Sequence, residues 1–245
     1  MPEDIGIYDL GDLYDAIYSG RGKDYGGEAA VVARHVRTAK PDATTLLDVG
    51  SGTGGHLAYF AKEFAHAEGI DLAEGMLEVS RRNLPDISVR QGDMRSFRLE
   101  RRFDAVVSLF SAVGNLKDTA ELDETLDTFA KHLVPGGVVV VEPWWFPENF
   151  LPDYVGGSVQ TVDGRTVARV SHTVRQDEGH SRMEVHYTVG DPADGIQHFS
   201  DVHVMALFTR EEYEAAFTRA GCSVHYVAGE YEGNGLFVGV KNGSE

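Results

Sequence analysis

The chain is short of cysteine, of basic charge and of long apolar runs. Its one cysteine, Cys222, leaves no disulfide framework and no cysteine-based metal site within a single chain. Lys and Arg number 22 against 39 Asp and Glu, a formal net charge of −17. A field of that sign repels phosphate backbones, and no basic patch stands out in the sequence, so no nucleic-acid partner is expected. No apolar run approaches the roughly 20 residues that span a bilayer, and Met1-Pro2-Glu3-Asp4 lacks the cationic start of a secretion signal. These absences imply a cytoplasmic protein with no membrane partner and a small molecule as ligand.

What is present is globular. Apolar residues make up 42% and charged residues 25%, which excludes collagen, coiled coil and disorder. At about 150 residues per domain, 245 residues suit one large domain carrying an insertion. Glycine is the one excess, 28 residues, which signals tight turns and close approach of backbone to a ligand.

The hydrophobic pattern alternates between two periods. Glu28 to Arg37 has helical spacing, Thr45 to Val49 reads as a buried strand, and Gly50-Ser51-Gly52-Thr53-Gly54-Gly55 leads into a helix from His56 to Phe64. Strands at 67–72, 87–90 and 103–110 then alternate with helices at 75–82 and 121–132. Pro135-Gly136-Gly137 closes the last helix before a strand at 138–142. Strands spaced by helices predict βαβ units and a mostly parallel sheet. From Ser158 to Leu207 the period changes to two, with strands at 166–174, 182–189 and 197–205 and turn signals at Asp163-Gly164, Glu178-Gly179 and Asp194-Gly195. That pattern predicts an inserted antiparallel meander. Thr209 and Glu212 form a capping box for a helix to Ala220, stopped by Gly221, and strands at 223–227 and 235–240 complete the sheet.

The glycine turn satisfies both GxGxG and GxGxxG, a weak signal by itself. Its surroundings choose between S-adenosylmethionine (SAM) and a dinucleotide. Asp71, at the end of the second strand, can accept two ribose hydroxyls in either case. Asp48, just before the glycines, sits badly beside a pyrophosphate but suits the cationic amino-acid end of SAM. Gln91-Gly92-Asp93-Met94 follows the third strand, where an acid and an amide can take an adenine edge. Phe103 to Val107 and Pro135 to Val138 complete the series. In these features the sequence resembles the class I SAM-dependent methyltransferases. The resemblance implies a Rossmann-like α/β sheet ending in an antiparallel hairpin, here with the inserted meander, and SAM as cofactor.

Further segments resemble one family within that class, the N-methyltransferases that act on nucleotide-linked deoxyaminosugars such as desosamine and mycaminose. They are Leu13-Tyr14-Asp15, Gly20 to Tyr25, Leu46 to Leu57, Gln91 to Phe97, Val170-Ser171-His172, Arg182 to Tyr187 and Gly235 to Gly239. The most specific is Glu142-Pro143-Trp144-Trp145-Phe146-Pro147-Glu148-Asn149-Phe150. The resemblance implies a dTDP-linked 3- or 4-aminosugar as methyl acceptor, one or two methyl transfers and a role in antibiotic sugar biosynthesis, while an exposed strand edge in the meander points to a homodimer. It divides the chain into a SAM-binding core with N-terminal lid helices (1–143), a β insertion for substrate binding and assembly (144–207) and the C-terminal part of the core sheet (208–245).

On the cofactor side it implies contacts from Tyr14, Lys23, Tyr25, Asp48, Gly50, Ser51, Gly52, Asp71, Leu72, Met76, Asp93, Met94 and Phe110. For the acceptor it implies Tyr8, Asn115, Glu142, Trp145, Ser171 and Asn234. Relatives often carry histidine where this chain has Asn115, and arginine near Asn234. Methyl transfer from a sulfonium to a neutral amine needs alignment and no strong nucleophile, so Asn115 is expected to orient the amine, with Tyr14 as a second catalytic candidate. Of the ten histidines, none forms an H-x-x-x-H or H-x-H pair with an acid at ligand spacing, and no metal is expected. Three other readings stand beside this one: a SAM-dependent methyltransferase of another O- or N-acceptor, an NAD(P)-dependent oxidoreductase, and a non-catalytic module that binds SAM or a sugar nucleotide.

Overall fold

In a computed structural model of the chain, residues 6–162, 164–229 and 234–243 are described. Seven strands form the main sheet: β1 (Thr45–Val49), β2 (His66–Asp71), β3 (Ser88–Gln91), β4 (Phe103–Ser108), β5 (Leu133–Val141), β10 (Cys222–Val227) and β11 (Leu236–Lys241). Their order is β3-β2-β1-β4-β5-β11-β10. The first five are parallel, and β11 enters antiparallel between β5 and β10. The order reverses between β1 and β4, and a crevice opens beyond the carboxyl ends of strands at such a switch point.

Helices cover both faces because both faces are apolar. Against one side pack α2 (Tyr25–Ala39) and α3 (Leu57–Glu63), burying Val32, Leu46, Phe60 and Val107. On the other, α5 (Thr119–Lys131) and α6 (Arg210–Arg219) meet Phe103, Phe129, Phe217 and Phe237. The remaining crossover helix is α4 (Glu74–Asn83). The Thr209–Glu212 capping box forms as expected, with Glu212 N donating to Thr209 Oγ1 and Thr209 N to Glu212 Oε2.

The second sheet is β6 (Tyr154–Val162), β7 (Arg165–Arg175), β8 (His180–Asp191) and β9 (Gly195–Ala206), paired in sequence order and antiparallel throughout. The sequence reading named three of these strands and missed β6. Of the expected first turn, Gly164 has φ +80° and Asp163 lies outside the described residues. The expected break at Pro135-Gly136-Gly137 is instead an irregularity within β5. Phe103 pairs with Leu133 but Ala105 with Val138, and Gly136 at φ +73° takes up the extra residues.

Helix α1 (Gly11–Gly20) joins the two sheets. Its Leu13 and Ile17 enter a core with Val167, Val185 and Tyr187 of the meander. The lid expected to belong to the parallel core therefore shares its hydrophobic contact with the insertion. Both ends fit closely. A Cβ on Gly11 would lie 2.6 Å from Val79 of α4, and one on Gly20 2.6 Å from Gln160 of β6.

Candidate active site

The carboxyl ends of β1 and β4, helix α1 and the inner face of the meander enclose a cleft of about 1050 Å³. Its floor is the glycine turn. Gly50 has φ +76° and a Cβ there would meet that of Ala112 at 2.8 Å, whereas Gly52, at φ +56°, has nothing within 4 Å. The amides of Gly50 and Ser51 both donate to Ile70 O, which fixes the turn to β2. The Gly52 amide donates to Asp71 Oδ2 at 2.7 Å and that of Ala73 to Oδ1 at 2.9 Å. Asp71 is thereby locked at the cleft wall, and a carboxylate with about four acceptor sites retains capacity for two hydroxyls. Burial raises its pKa, against the lowering effect of those amides.

Asp48 and Ser51 lie behind this wall. Both are buried, and Asp48 Oδ2 and Ser51 Oγ have no hydrogen-bond partner. Burial first, and the charge of Asp71 second, push Asp48 up to about 8. An acid so placed favours a cation above it.

Leu72, Met76, Gly92, Asp93 and Met94 form the neighbouring wall, with Met76 buried and Leu72 exposed at the mouth. The Asp93 carboxylate is gripped by Arg95, whose Nε lies 2.9 Å from Oδ1 and whose Nη2 lies 2.5 Å from Oδ2. These bonds hold its pKa down. Arg95 also reaches Glu121. Asp71 against one side, this acid and amide series against another, and two methionines between them fit the ribose, adenine edge and apolar surface of SAM.

Lys23 lies 4.0 Å above the Phe110 ring and donates to Glu28 Oε1 at 2.6 Å. Glu28 Oε2 meets His56 Nε2 at 2.6 Å. Burial works against the Glu28 charge, but His56 and Lys23 keep its pKa low. Tyr25 packs edge-on against His56 and over Gly55, so it backs the glycine turn instead of lining the cleft.

After β4 the chain makes a strained bend. Phe110 and Ser111 have φ +52° and +58°, and such left-handed non-glycine residues cost about 1–3 kcal/mol each. Glu142 explains how the bend is held. Its Oε2 accepts from the Phe110 amide at 2.5 Å, its own amide donates to Ser108 O, and Ser111 Oγ donates to Pro143 O at 2.9 Å. Glu142, expected at the acceptor, has its side chain buried outside the residues that line the cleft, where it braces the turn carrying Phe110 and Asn115.

The remaining wall is aromatic and polar. Tyr8, Tyr14 and Tyr18 pack in succession from the N-terminal segment as tilted rings, with centroids 6.2 and 4.5 Å apart, and Tyr18 meets Phe110 edge-on. Burial keeps the Tyr14 hydroxyl protonated, well above its ordinary pKa. Asn115, in a single turn at Ala112–Asn115, lines the cleft beside Tyr8 and donates through Nδ2 to Ala112 O. The tryptophan pair divides its work. Trp144 is fastened through Nε1 to Ser181 Oγ at 3.2 Å, while Trp145 is 40% exposed at the wall.

Ser171 faces inward from β7 and is buried at the cleft. Asn234 is elsewhere: its carbonyl accepts from Tyr226 at the β10–β11 end, and it is not part of the cleft wall. Sequence reading missed Tyr18, Arg169 and His203. For Arg169 the signal was present, since it precedes Ser171 by two positions and so shares its face.

A model of the methyltransferase domain matches residues 46–137. The dTDP-3-amino-3,4,6-trideoxy-alpha-D-glucopyranose N,N-dimethyltransferase of Streptomyces venezuelae is 57% identical over 95% of this chain and 98% of that enzyme. The crystal structure of Streptomyces venezuelae DesVI superposes with a TM-score of 0.91 at 57% identity, covering 95% of this chain and 98% of that one. SAM-bound CalS10, an amino pentose methyltransferase from Micromonospora echinaspora, gives 0.86 at 51% identity over 94% and 97%. Together with a sheet and cleft built for that donor, these likenesses mean that the chain belongs to the SAM-dependent dTDP-aminosugar N,N-dimethyltransferases.

Proposed function

We propose that this chain methylates the amino group of a dTDP-linked deoxyaminosugar, transferring one or two methyl groups in the making of an antibiotic sugar. The observation that carries the reading is the division of one cleft into a donor wall on the parallel sheet and an acceptor wall on the meander. The names printed for relatives of 57% and 51% identity support it, one acting on a dTDP-3-aminosugar and one on an amino pentose in calicheamicin biosynthesis.

Bound SAM supplies a methyl group already activated on a sulfonium, so the protein's part is binding, alignment and control of one proton. Asp71 takes the ribose hydroxyls, Asp93 and the Met94 amide the adenine edge, and Lys23 the carboxylate end. Gly50 and Gly52 keep the floor free of side chains, while Leu72, Met76 and Phe110 cover the apolar parts. Asp48 and Ser51 act from behind the turn and Tyr25 supports it. Asn115 orients the sugar amine, and Tyr8 and Tyr14 close the space around the nitrogen. Burial lowers the pKa of an amine already depressed by neighbouring sugar oxygens, which keeps its lone pair free. Trp145 covers a sugar or base face, and Ser171 donates to the nucleotide.

The outer face of the meander leaves Val159, Val170 and Ile196 at 68, 55 and 82% exposure. Pairing of this face between two copies fits a homodimer, and sedimentation of the purified chain checks it. No helix of the described residues is long and apolar enough to cross a membrane.

The test of function is incubation with SAM and a panel of dTDP-linked 3- and 4-aminosugars, read by mass spectrometry. Gain of one or two methyl groups is expected. Donor binding without methylation of any aminosugar, or methylation of a hydroxyl acceptor alone, rejects the reading.

A further inference from the structure

Two methyl transfers to one nitrogen cannot follow each other without the loss of a proton. A neutral primary amine that takes a methyl group becomes a secondary ammonium, which has no lone pair. Before it can take another, one N–H proton must leave, and in a cleft walled from solvent that proton needs an acceptor near the nitrogen.

The walls offer few. Lysine and arginine stand there as cations, and phenols are protonated near neutrality; burial pushes those of Tyr8, Tyr14 and Tyr187 up further. Three carboxylates line the cleft and all are engaged. Arg95 holds Asp93 and Glu121, and the Gly52 and Ala73 amides hold Asp71 on the donor wall. Among the described residues that line the cleft there is one imidazole, His203.

His203 is also in the right place. It lies on β9 two positions before Met205 and so shares its face. A Cβ on Gly114 would meet the Met205 side chain at 2.8 Å, so β9 runs directly against the turn that carries Asn115. The imidazole packs edge-on to Tyr8, with ring centroids 5.5 Å apart, and Tyr8 lies against Asn115. The ring therefore stands beside the residue assigned to orient the amine.

Its surroundings suit a ring that is neutral at rest and charged in passing. Tyr8, Asp201 and Arg169 are the ionisable groups that face it. Nε2 is 3.6 Å from Asp201 Oδ2, too far for a hydrogen bond yet close enough to favour an imidazolium. The Ile7 and Val202 amides fix that carboxylate, each at 2.8 Å. Burial lowers the His203 pKa from the ordinary 6.5, with Asp201 acting against it and Arg169 for it, so the ring has a free lone pair at pH 7.

We propose that His203 accepts the proton released from the sugar nitrogen between the two methyl transfers. The inference rests on the acceptor reading above and adds a base to it. The N–H bond of the secondary ammonium breaks, its electron pair stays on nitrogen, and the proton goes to a ring nitrogen of His203. Asp201 stabilises the imidazolium until the proton passes to solvent during exchange of the spent donor. The restored lone pair then takes the second methyl group.

The test follows both methylations by mass spectrometry on the full chain, using the dTDP-linked aminosugar that the wild type accepts, with calorimetry of SAM and of the aminosugar as controls. The wild type is expected to deliver mainly dimethylated sugar. His203→Ala should slow the second transfer about tenfold or more and let the monomethylated sugar accumulate, a modest general-base effect because the proton leaves after the methyl has moved. Both ligands should bind within about twofold of the wild type. Added imidazole should restore the second transfer in this variant and leave the wild type unaltered. A merely structural histidine would lose ligand binding and gain nothing from imidazole.

Should His203→Ala fail to fold, His203→Gln, which keeps bulk and polarity, must show the same accumulation. An unchanged proportion of mono- and dimethylated sugar in a folded variant overturns the assignment. So does a slowed second transfer in His203→Ala that imidazole does not restore, or a wild type that stops after one methyl group. A wild type that methylates no aminosugar rejects the acceptor reading itself.

Discussion

The two sheets serve the reaction in opposite ways. In the parallel sheet the central strands are buried on both faces, as Leu46, Leu47, Val106 and Val107 show with no measurable exposure, and they end in loops whose backbone meets the donor. Side-chain identity there is constrained mainly by packing, and chemistry is concentrated at a glycine turn and a few acids. The meander is buried on one face only. Along β7, Val167, Arg169, Ser171 and Thr173 point inward while Val170 and His172 are exposed. On the proposed reading, acceptor recognition falls to alternate side chains, which can change without disturbing the strand. If the proposed division holds, a fixed donor site and an adjustable acceptor site follow from the difference between parallel and antiparallel pairing.

Substitutions at the two walls should separate accordingly. The largest effect is expected at Asp71. Asp71→Ala should weaken SAM binding by about 2–3 kcal/mol, the scale for losing a charged acceptor of buried groups, and leave thymidine diphosphate binding alone. Calorimetry with both ligands checks this, and a loss shared by both would erase the division between the walls.

Asp48 supplies a pH test of the donor wall. Its folded pKa, about 8, lies above the ordinary value of 3.8. Between those values the folded state holds a proton that the unfolded state has lost, so this group makes the protein less stable as pH rises from about 4 to 8. Asp48→Asn removes the penalty, and should raise stability by about 2 kcal/mol at pH 8 and by less at pH 5. Thermal unfolding at the two values measures it. An equal gain at both would mean that Asp48 is ionised throughout.

On the acceptor wall, Trp145→Ala should raise the KM for the aminosugar nucleotide by about 1.5 kcal/mol, the loss of an aromatic cover, with SAM affinity unchanged. Asn115→Ala should act on kcat instead, by about 1 kcal/mol, since a lost hydrogen bond that only orients the nitrogen is worth that much. Steady-state kinetics with each substrate varied distinguish the two. Equal losses of donor affinity and turnover at Asn115 would remove its orienting role.

Most of the parallel sheet was legible because its strands are continuous apolar runs bounded by glycine or helical spacing, and the Thr209 capping box announced α6 outright. Strand β6 was not legible, since Gly156, Gly157 and Ser158 interrupt the apolar alternation and mimic a loop. Pro135-Gly136-Gly137 misled in the same way: turn residues serve here as a bulge inside a strand. Within the site, Asp71, Met76, Trp145 and Ser171 could be anticipated at the cleft. Glu142 could not be assigned its place, because a buried acid that braces a strained backbone has the same sequence appearance as one that meets a ligand. Arg169, by contrast, could have been placed, since it lies two positions before Ser171 on the same strand and so on the same face.

Helix α1 is countersunk at both heads, Gly11 into α4 and Gly20 into β6. A rod fitted this way cannot tilt at one end without pulling the other out of its seat. The helix is therefore a strut, and the spacing between α4 on the parallel-sheet side and β6 of the meander is set by its length.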